Sequence, residues 1–305
     1  MEQDQKKIIE NYIAFIQLEK GLSANTLDAY QRDLNKLLTF ASDVNKPVVQ
    51  LTLDDLHQFI ARLHDAGLTE RSKKRVISGI KSFYKFLLLE DYIKADPSEL
   101  LESPRLALIL PDVLSVEEID ALISVIDLSK PEGERNRAMF EVLYGCGLRV
   151  TELLNLKLSD VYFEEEFIRI MGKGNKQRLV PVSEVALERI KSYLIDRNQL
   201  AIKPECQDIL FLSVRGKQLT RMRVFKIIKE CALLAGIHKQ ISPHTFRHSF
   251  ATHLLERGAN LRVIQQLLGH ERITTTEIYT HLDKRFLREE ILNHHPRNKH
   301  YRTSE

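Results

Sequence analysis

The fold class is decided by FIRIMGKGNKQRLVP, residues 167–181, which places a β-pattern inside a chain of mostly helical patterns. Phe167–Met171 and Arg178–Pro181 are short runs rich in apolar and β-branched residues, which predicts two strands. Between them, the glycine- and lysine-rich segment Gly172–Gln177 predicts a hairpin turn. Apolar residues on both sides of this hairpin recur at helical spacing. We therefore expect a mainly α fold, with a small β-sheet in a mixed, mostly helical second domain.

The first hundred residues show helical periodicity throughout. Apolar residues recur every three or four positions in four segments, and Gly21, Gly67 and Pro97 separate these segments. The four stripes are Ile9, Tyr12, Ile13 and Ile16; Leu27, Tyr30, Leu34, Leu37 and Leu38; Leu56, Phe59, Ile60 and Leu63; and, in a helix from about Thr69 to Glu90, Val76, Ile80, Phe83 and Leu87. We predict an all-helical N-terminal domain over residues 1–104.

A linker is predicted after this domain. Ser103–Pro111 has a proline near each end and no helix cap between them, and we place the linker at residues 105–112 and the second domain at 113–305. Ser115 and Glu118 form a capping-box pattern that starts the next helix. Further helices are predicted at about Glu134–Tyr144, Thr151–Leu156, Ser183–Leu200, Arg221–Leu234, Pro243–Arg257, Leu261–Leu268, Thr274–Tyr279 and Lys284–Leu292.

Composition excludes several classes of protein. The 305 residues are 43% hydrophobic and 29% charged, as expected for a folded globular chain. Cys146, Cys206 and Cys231 are odd in number and far apart, which argues against a disulfide framework or a cysteine zinc site. No apolar run approaches the ~18 residues that span a bilayer, and the N-terminus MEQDQKKIIENY lacks the pattern of a signal peptide. We expect a cytoplasmic protein with no membrane partner.

Charge distribution permits a nucleic-acid partner. The net charge of +3 divides into −1 over residues 1–110 and +4 over residues 111–305. The predicted fourth helix carries no acidic residue from Arg71 to Leu89. Its cationic face consists of Arg71, Arg75, Ser78, Ser82 and Lys85, with Lys74 and Lys81 beside it. Small serines between long cations suit contact with a polyanion, while a solvated surface remains the alternative.

Four short segments carry residue types that act on phosphates. They are Gly145-Cys-Gly-Leu-Arg149-Val-Thr-Glu152-Leu-Leu, the turn containing Lys173, Ser242-Pro243-His244-Thr-Phe-Arg247-His248, and Leu268-Gly269-His270 through Thr274-Thr-Thr-Glu-Ile-Tyr279-Thr-His281. Together with LSANTLDAYQRDL near the N-terminus, they resemble the tyrosine recombinases, most closely the Xer-type site-specific recombinases of bacteria. The resemblance covers nearly the whole chain. It implies a SAM-like core-binding domain and a catalytic domain that form a C-shaped DNA clamp.

Arg149 and Arg247 are suited to bind the phosphate under attack. In-line attack on a phosphodiester builds negative charge on the non-bridging oxygens, and guanidinium groups bind such oxygens while remaining charged. Arg149 follows Gly147 and Leu148 at a predicted helix start, where a helix N-terminus favours an anion. Glu152, three residues later, is spaced to orient Arg149.

The segment Ser242–His248 predicts the start of a helix that carries two of these groups. Ser242 as N-cap and Pro243 at the first helical position would put His244 in the first turn, on the same face as Arg247. His244 would donate a hydrogen bond to the phosphate or accept the proton of the attacking group. His244 and His248 lack a further partner at metal-ligand spacing, so we predict no metal site.

Tyr279 is the nucleophile that the resemblance implies. A free phenol has a pKa near ~10, so it needs cations and a base nearby, and His270 is implied as a further phosphate-oxygen donor. The leaving group is a sugar 5′-hydroxyl, for which Lys173 is the candidate general acid and Lys176 the alternative. The products are a 3′-phosphotyrosyl DNA and a free 5′-hydroxyl. Because the ester preserves the bond energy, we expect no ATP, metal or other cofactor.

Other charged residues are assigned to DNA binding or to structure. Phosphate contacts give affinity with little sequence choice. The predicted DNA-binding residues are Arg71, Lys74, Arg75, Lys176, Arg178, Arg221 and Arg223. His248 and His253 are expected to be structural, His294 and His295 to be solvated, and His281 is left open.

Double-stranded DNA is the expected partner. The resemblance implies a tetramer of identical or paralogous subunits on two recombination sites, which resolves chromosome dimers at a dif-like site during chromosome partition under control of a DNA translocase. It also implies that a C-terminal segment docks on a neighbouring subunit, and residues from about Lys284 carry a suitable apolar stripe at Phe286, Leu287 and Ile291.

Rival functions remain open at this stage. A mobile-element integrase or a relaxing topoisomerase would use the same chemistry, and the absence of an additional N-terminal arm-binding domain favours the simpler Xer type. A catalytically inactive DNA-binding protein is the rival of another class. Every catalytic position that the resemblance implies holds the expected residue, which argues against an inactive protein.

Overall fold

The chain folds into two compact, mostly helical units. The computed structural model describes residues 2–18, 24–104, 112–172, 177–269 and 281–297. Contacts divide the chain into Met1–Ile109 and Leu110–Glu305. Among the helices described, none has the length and apolar character needed to cross a membrane. The mainly α fold with one small sheet is as the sequence predicted.

The N-terminal unit is helical, as predicted. Its helices are α1 (Glu2–Leu18), α2 (Ala24–Asp43), α3 (Leu53–Asp65) and α4 (Glu70–Leu89). The side chain of Thr69 accepts a hydrogen bond from the Ser72 backbone and so fixes the start of α4. Tyr12, Leu56 and Phe83 are fully buried in a core shared by the helices. Because the apolar side of α4 faces this core, its cationic side lies at the surface.

The second unit contains eight described helices and one sheet. The helices are α5 (Val116–Ser124), α6 (Gly133–Gly145), α7 (Val150–Leu154), α8 (Glu184–Arg197), α9 (Arg221–Leu234), α10 (Pro243–Glu256), α11 (Leu261–Leu268) and α12 (His281–His294). The strands β1 (Val161–Tyr162), β2 (Phe167–Met171) and β3 (Gln177–Pro181) pair antiparallel in that order, with Ile168 opposite Val180. The two-residue strand β1 was not predicted, since so short an edge strand has no period to detect. The predicted helix Thr274–Tyr279 lies outside the described residues.

A close approach between two chain segments positions the candidate site. Gly147 has a φ of +58°, and a Cβ at this position would lie 2.5 Å from the Phe250 ring of α10. A larger residue is therefore excluded, both by its backbone conformation and by the ring. This approach places the start of α7, with Arg149, beside α10, which carries Arg247.

The end of the described chain is buried, which corrects one prediction. His295 was expected to be solvated, but it is only 1% exposed, and its ring centroid lies 4.8 Å from that of Tyr144. Arg297 is buried beside it and pairs with Asp120 and, at 2.9 Å, with Glu141. We call Asp120, Glu141, Tyr144, His295 and Arg297 the C-terminal cluster. The prediction failed because the contacts that bury His295 are distant in sequence.

The apolar stripe of α12 packs against its own unit. Leu287 and Ile291 are buried in the core of the second unit, whereas Phe286 is half-exposed. His294, also expected to be solvated, is half-buried, and its Nδ1 lies 2.7 Å from the Arg257 carbonyl oxygen. In the single chain, the stripe proposed for docking on a neighbour is thus already covered at Leu287 and Ile291.

Candidate active site

Glu152 organises the start of α7. Arg149 is the N-cap residue of this helix, and its backbone N–H donates to Glu152 Oε2 at 2.8 Å. The Nη1 of Arg149 donates to Glu152 Oε1 at 2.9 Å. The predicted orientation of Arg149 by Glu152 is therefore confirmed. This carboxylate thus accepts a hydrogen bond from the backbone N–H of the N-cap residue, as in a capping box.

Arg178 binds the same carboxylate from the sheet. Its Nη1 and Nη2 donate to the two oxygens of Glu152 at 2.8 and 2.9 Å, a bidentate pair. Its Nε donates to the Leu267 carbonyl oxygen at 2.9 Å. The side chain is 7% exposed. The guanidinium is buried and each of its nitrogens has a protein partner, so the structure gives Arg178 an internal contact, and the DNA contact expected for it stays a prediction.

Arg247 completes the group from α10. Its Nη1 donates to the Gly147 carbonyl oxygen at 2.8 Å, and its Nη2 donates to the Leu268 carbonyl oxygen. The same Nη1 lies 3.8 Å from Glu152 Oε2. We call Arg149, Glu152, Arg178 and Arg247 the arginine cluster.

The arginine cluster carries more positive than negative charge. Burial by itself raises the pKa of Glu152, but hydrogen bonds and charge from Arg178, with hydrogen bonds from Arg149, outweigh it and leave the pKa below its usual value. Burial first, and then the charge of Arg149, lowers the pKa of Arg247 to about 10, so it stays charged at neutral pH. The side chain of Arg149 is 38% exposed, so the excess charge has access to solvent. Such an arrangement stabilises a bound anion.

His244 lies where the sequence predicted. Ser242 is the N-cap of α10, its backbone N–H donates to Thr245 Oγ1 at 3.1 Å, and Pro243 occupies the first helical position. His244 is exposed in the first turn of the helix that carries Arg247. The predicted helix start is confirmed, and the chemical role of His244 stays a prediction.

Four predicted catalytic or DNA-binding residues cannot be placed. Lys173, Lys176, His270 and Tyr279 lie outside the described residues. Gly269 is the last described residue before His270, and its φ of +65° ends α11 in the left-handed conformation. The roles of the four residues remain those that the resemblance implies.

The remaining DNA-binding candidates differ in how free their charges are. Arg71, Lys74 and Arg221 are exposed. Arg75 pairs with the buried carboxylate of Asp33, and Arg223 lies 3.6 Å from Glu132. Arg71, Lys74 and Arg221 are therefore better placed to meet a phosphate than Arg75 and Arg223, whose charges are directed to carboxylates.

One signal in the sequence could have identified the role of Arg178. Side chains of a strand alternate between its two faces, so Arg178 shares a face with Val180. Val180 is fully buried, and Arg178 is buried with it. An arginine on the apolar face of a strand requires a buried partner, and Glu152 supplies it.

No cluster suited to a metal ion was found within the described ranges. No three histidine, cysteine, aspartate or glutamate side chains in these ranges lie close enough together to hold one. Cys146, Cys206 and Cys231 are buried and unpaired with one another. Burial raises the pKa of the Cys146 thiol to about 12.

Comparisons with known proteins assign the family. Residues 112–285 match the model of the phage integrase family, and residues 9–91 match its N-terminal SAM-like domain. The chain is 44% identical to the tyrosine recombinase XerD of Staphylococcus saprophyticus over 293 residues, which are 95% of this chain and 99% of that protein. It is 43% identical to XerD of Staphylococcus aureus over 291 residues.

Solved structures agree with these sequence matches. The XerH site-specific recombinase bound to a palindromic difH substrate, in a post-cleavage complex, is 27% identical, with a TM-score of 0.71. The match covers 90% of this chain and 82% of that chain. The resemblance drawn from the sequence motifs is confirmed. This chain belongs to the phage integrase family and is a tyrosine recombinase, a site-specific DNA strand transferase.

Proposed function

We propose that this recombinase cuts and rejoins double-stranded DNA through a 3′-phosphotyrosyl intermediate on Tyr279. The observation that supports this most strongly is the arginine cluster, in which Arg149 and Arg247 are fixed with excess positive charge around one carboxylate. A pentavalent phosphate transition state needs charge stabilisation from groups that are already oriented. The cluster provides it from the protein's own side chains.

In the proposed cleavage step, one bond to phosphorus forms as another breaks. The phenol oxygen of Tyr279 attacks the phosphorus, and the bond from phosphorus to the sugar 5′-oxygen breaks. The phenol proton passes to a base, for which His244 is the candidate, and Lys173 donates a proton to the leaving oxygen. His270, Arg149 and Arg247 bind the non-bridging oxygens. Attack by the 5′-hydroxyl of another strand reverses the step and releases Tyr279.

The biological task that we propose is the resolution of chromosome dimers at a dif-like site. Support comes from the XerD relatives and from the XerH structures with difH substrate. The working assembly would be a tetramer of identical or paralogous subunits on two sites, with a DNA translocase as regulator. Exposed cations at Arg71, Lys74 and Arg221 would bind the DNA backbone. The clamp arrangement of the two domains stays a prediction.

A nicked suicide substrate tests the cleavage chemistry. The native chain is incubated with a dif-type duplex nicked near the scissile bond, so that the short 5′-hydroxyl fragment diffuses away and the intermediate accumulates. We expect a protein–DNA adduct that survives denaturing electrophoresis, and none with Tyr279→Phe. An adduct that persists in Tyr279→Phe, or a native chain that binds the duplex without forming an adduct, would contradict the proposal.

A further inference from the structure

We propose that Arg178 is a positioning residue of the cleavage reaction, which holds Glu152 so that the charge of Arg149 remains available to the scissile phosphate. The inference rests on the proposed function and deepens it. It also replaces the sequence-based assignment of Arg178 to the DNA surface.

Each of the three nitrogens of the Arg178 guanidinium donates to a protein acceptor. Both Nη atoms bind Glu152, and Nε binds the Leu267 carbonyl oxygen at the end of α11. The guanidinium also packs closely against Gly269, where an added Cβ would lie 3.3 Å from Arg178 Cδ and Nη1. The charge of Arg178 is thus directed to Glu152, and a phosphate would have to compete with this carboxylate for it.

Arg149 and Arg178 share one oxygen of Glu152. The Nη1 atoms of both arginines donate to Oε1, at 2.9 and 2.8 Å. The bidentate pair with Arg178 neutralises most of the carboxylate charge, so Arg149 is oriented by Glu152 without being fully paired to it. If Arg178 were absent, Arg149 would be the nearer of the two remaining cations and would pair with the carboxylate alone. Its charge would then be directed to Glu152 rather than to a phosphate.

The experiment separates positioning from DNA binding. Arg178→Gln, Arg178→Lys and the native chain are compared for affinity and for single-turnover cleavage, on the duplex with which the native chain forms its adduct. We expect Arg178→Gln to keep its affinity within about threefold while its cleavage rate at saturating DNA falls about 100-fold, because small displacements of reacting groups have effects of that size. Arg178→Lys retains one charge without the bidentate geometry and should give an intermediate rate.

A double-mutant cycle tests the route through Glu152. Glu152→Gln removes the charge that Arg178 neutralises. The double variant Arg178→Gln/Glu152→Gln should therefore cleave no more slowly than Arg178→Gln alone, because Arg149 no longer has a carboxylate to pair with. A purely structural role for Arg178 predicts lower stability with a native cleavage rate in the folded protein, whereas a catalytic role that does not pass through Glu152 predicts that the two losses of rate add.

Arg197→Gln is the matched control. Arg197 is also a buried arginine of the second unit, and its guanidinium donates to the carbonyl oxygens of Gln207, Ile209 and Leu210. The control should lose stability and retain the native cleavage rate at a temperature where it is folded. If Arg178→Gln does not fold, Arg178→Lys is taken through the same measurements.

The outcomes distinguish this inference from the proposed function. If the native chain forms no Tyr279-dependent adduct, both fail. If the native chain cleaves and Arg178→Gln cleaves at the same rate, the positioning role alone is overturned. If Arg178→Gln loses affinity and regains the native rate at saturating DNA, Arg178 is a DNA contact after all. Additive losses in the double-mutant cycle would also overturn the inference.

Discussion

Two buried arginine networks in the second unit have opposite charge balance. The arginine cluster surrounds one carboxylate, Glu152, with three guanidinium groups. The C-terminal cluster surrounds one guanidinium, Arg297, with two carboxylates, Asp120 and Glu141. Both pair arginine with carboxylate side chains in the same folded unit. The balance of charge therefore distinguishes a network that can receive a phosphate from one that anchors residues 295–297.

The two buried carboxyl groups respond differently to their surroundings. Burial raises the pKa of Glu141, and the nearby Arg297 does not overcome it. At Glu152 burial acts in the same direction, but Arg178 and Arg149 reverse it. The number of donors differs between the two groups. Glu152 accepts four hydrogen bonds from Arg149 and Arg178, whereas Arg297 reaches Glu141 through one contact of 2.9 Å between Nε and Oε2.

The largest expected effect is on catalysis by the arginine cluster. Arg247→Lys should reduce single-turnover cleavage about 1000-fold, or about 4 kcal/mol, the upper range for losing a transition-state donor. Lysine cannot reach both the Gly147 and the Leu268 carbonyl oxygens and also face a phosphate. The burial that lowers the pKa of Arg247 would lower that of a lysine from about 10.4, which weakens its charge. Suicide-substrate cleavage at saturating DNA measures the loss, and a rate within tenfold of native would contradict it.

A substitution in the C-terminal cluster should reduce stability and leave the cleavage rate nearly unchanged. Arg297→Gln leaves the buried Glu141 without its cation, and we expect a loss of about 3 kcal/mol in the free energy of unfolding, with little change in cleavage rate by folded protein. Urea denaturation followed by circular dichroism measures the loss. The double variant Arg297→Gln/Glu141→Gln should recover part of it, because the uncompensated charge is gone. A slower cleavage rate in the folded variant would mean that residues 295–297 take part in catalysis.

The sequence predicted local structure better than it predicted long-range pairing. Periodicity and caps gave α9 and α11 their observed bounds, and the Ser242–Pro243 start of α10 was correct. Strand alternation indicates that Arg178 is buried, but its partner Glu152 lies 26 positions away and no local pattern identifies that partner. His295 was misassigned for the same reason, since its burial depends on Tyr144 and Phe250 from distant helices. Motifs in the sequence thus predicted which residue types act on a phosphate. The partners of buried charged side chains could be identified only from the folded structure.

The smallest expected effect is a pH dependence of stability that belongs to the C-terminal cluster. Burial above all, with the charges of Arg297, His253 and Arg257, lowers the pKa of His295 from 6.5 to about 3. Its Nδ1 accepts the backbone N–H of Arg297 at 3.1 Å, which requires the neutral ring. Between these two pKa values the unfolded chain binds a proton that the folded chain does not. Stability should therefore fall with decreasing pH below 6.5, by up to about 1.4 kcal/mol per pH unit.

His295→Phe isolates this contribution, because phenylalanine keeps an aromatic ring against Tyr144 and Phe250 and removes the titrating group. The difference in unfolding free energy between the native chain and the variant should be constant above pH 7.5. It should shift in favour of the variant as the pH falls from 6.5 to 5. The arginine cluster is common to both proteins, so its response to pH cancels in the comparison. Parallel stability curves across this range would show that the folded chain protonates His295 and that the C-terminal cluster is less closed to water than its burial indicates.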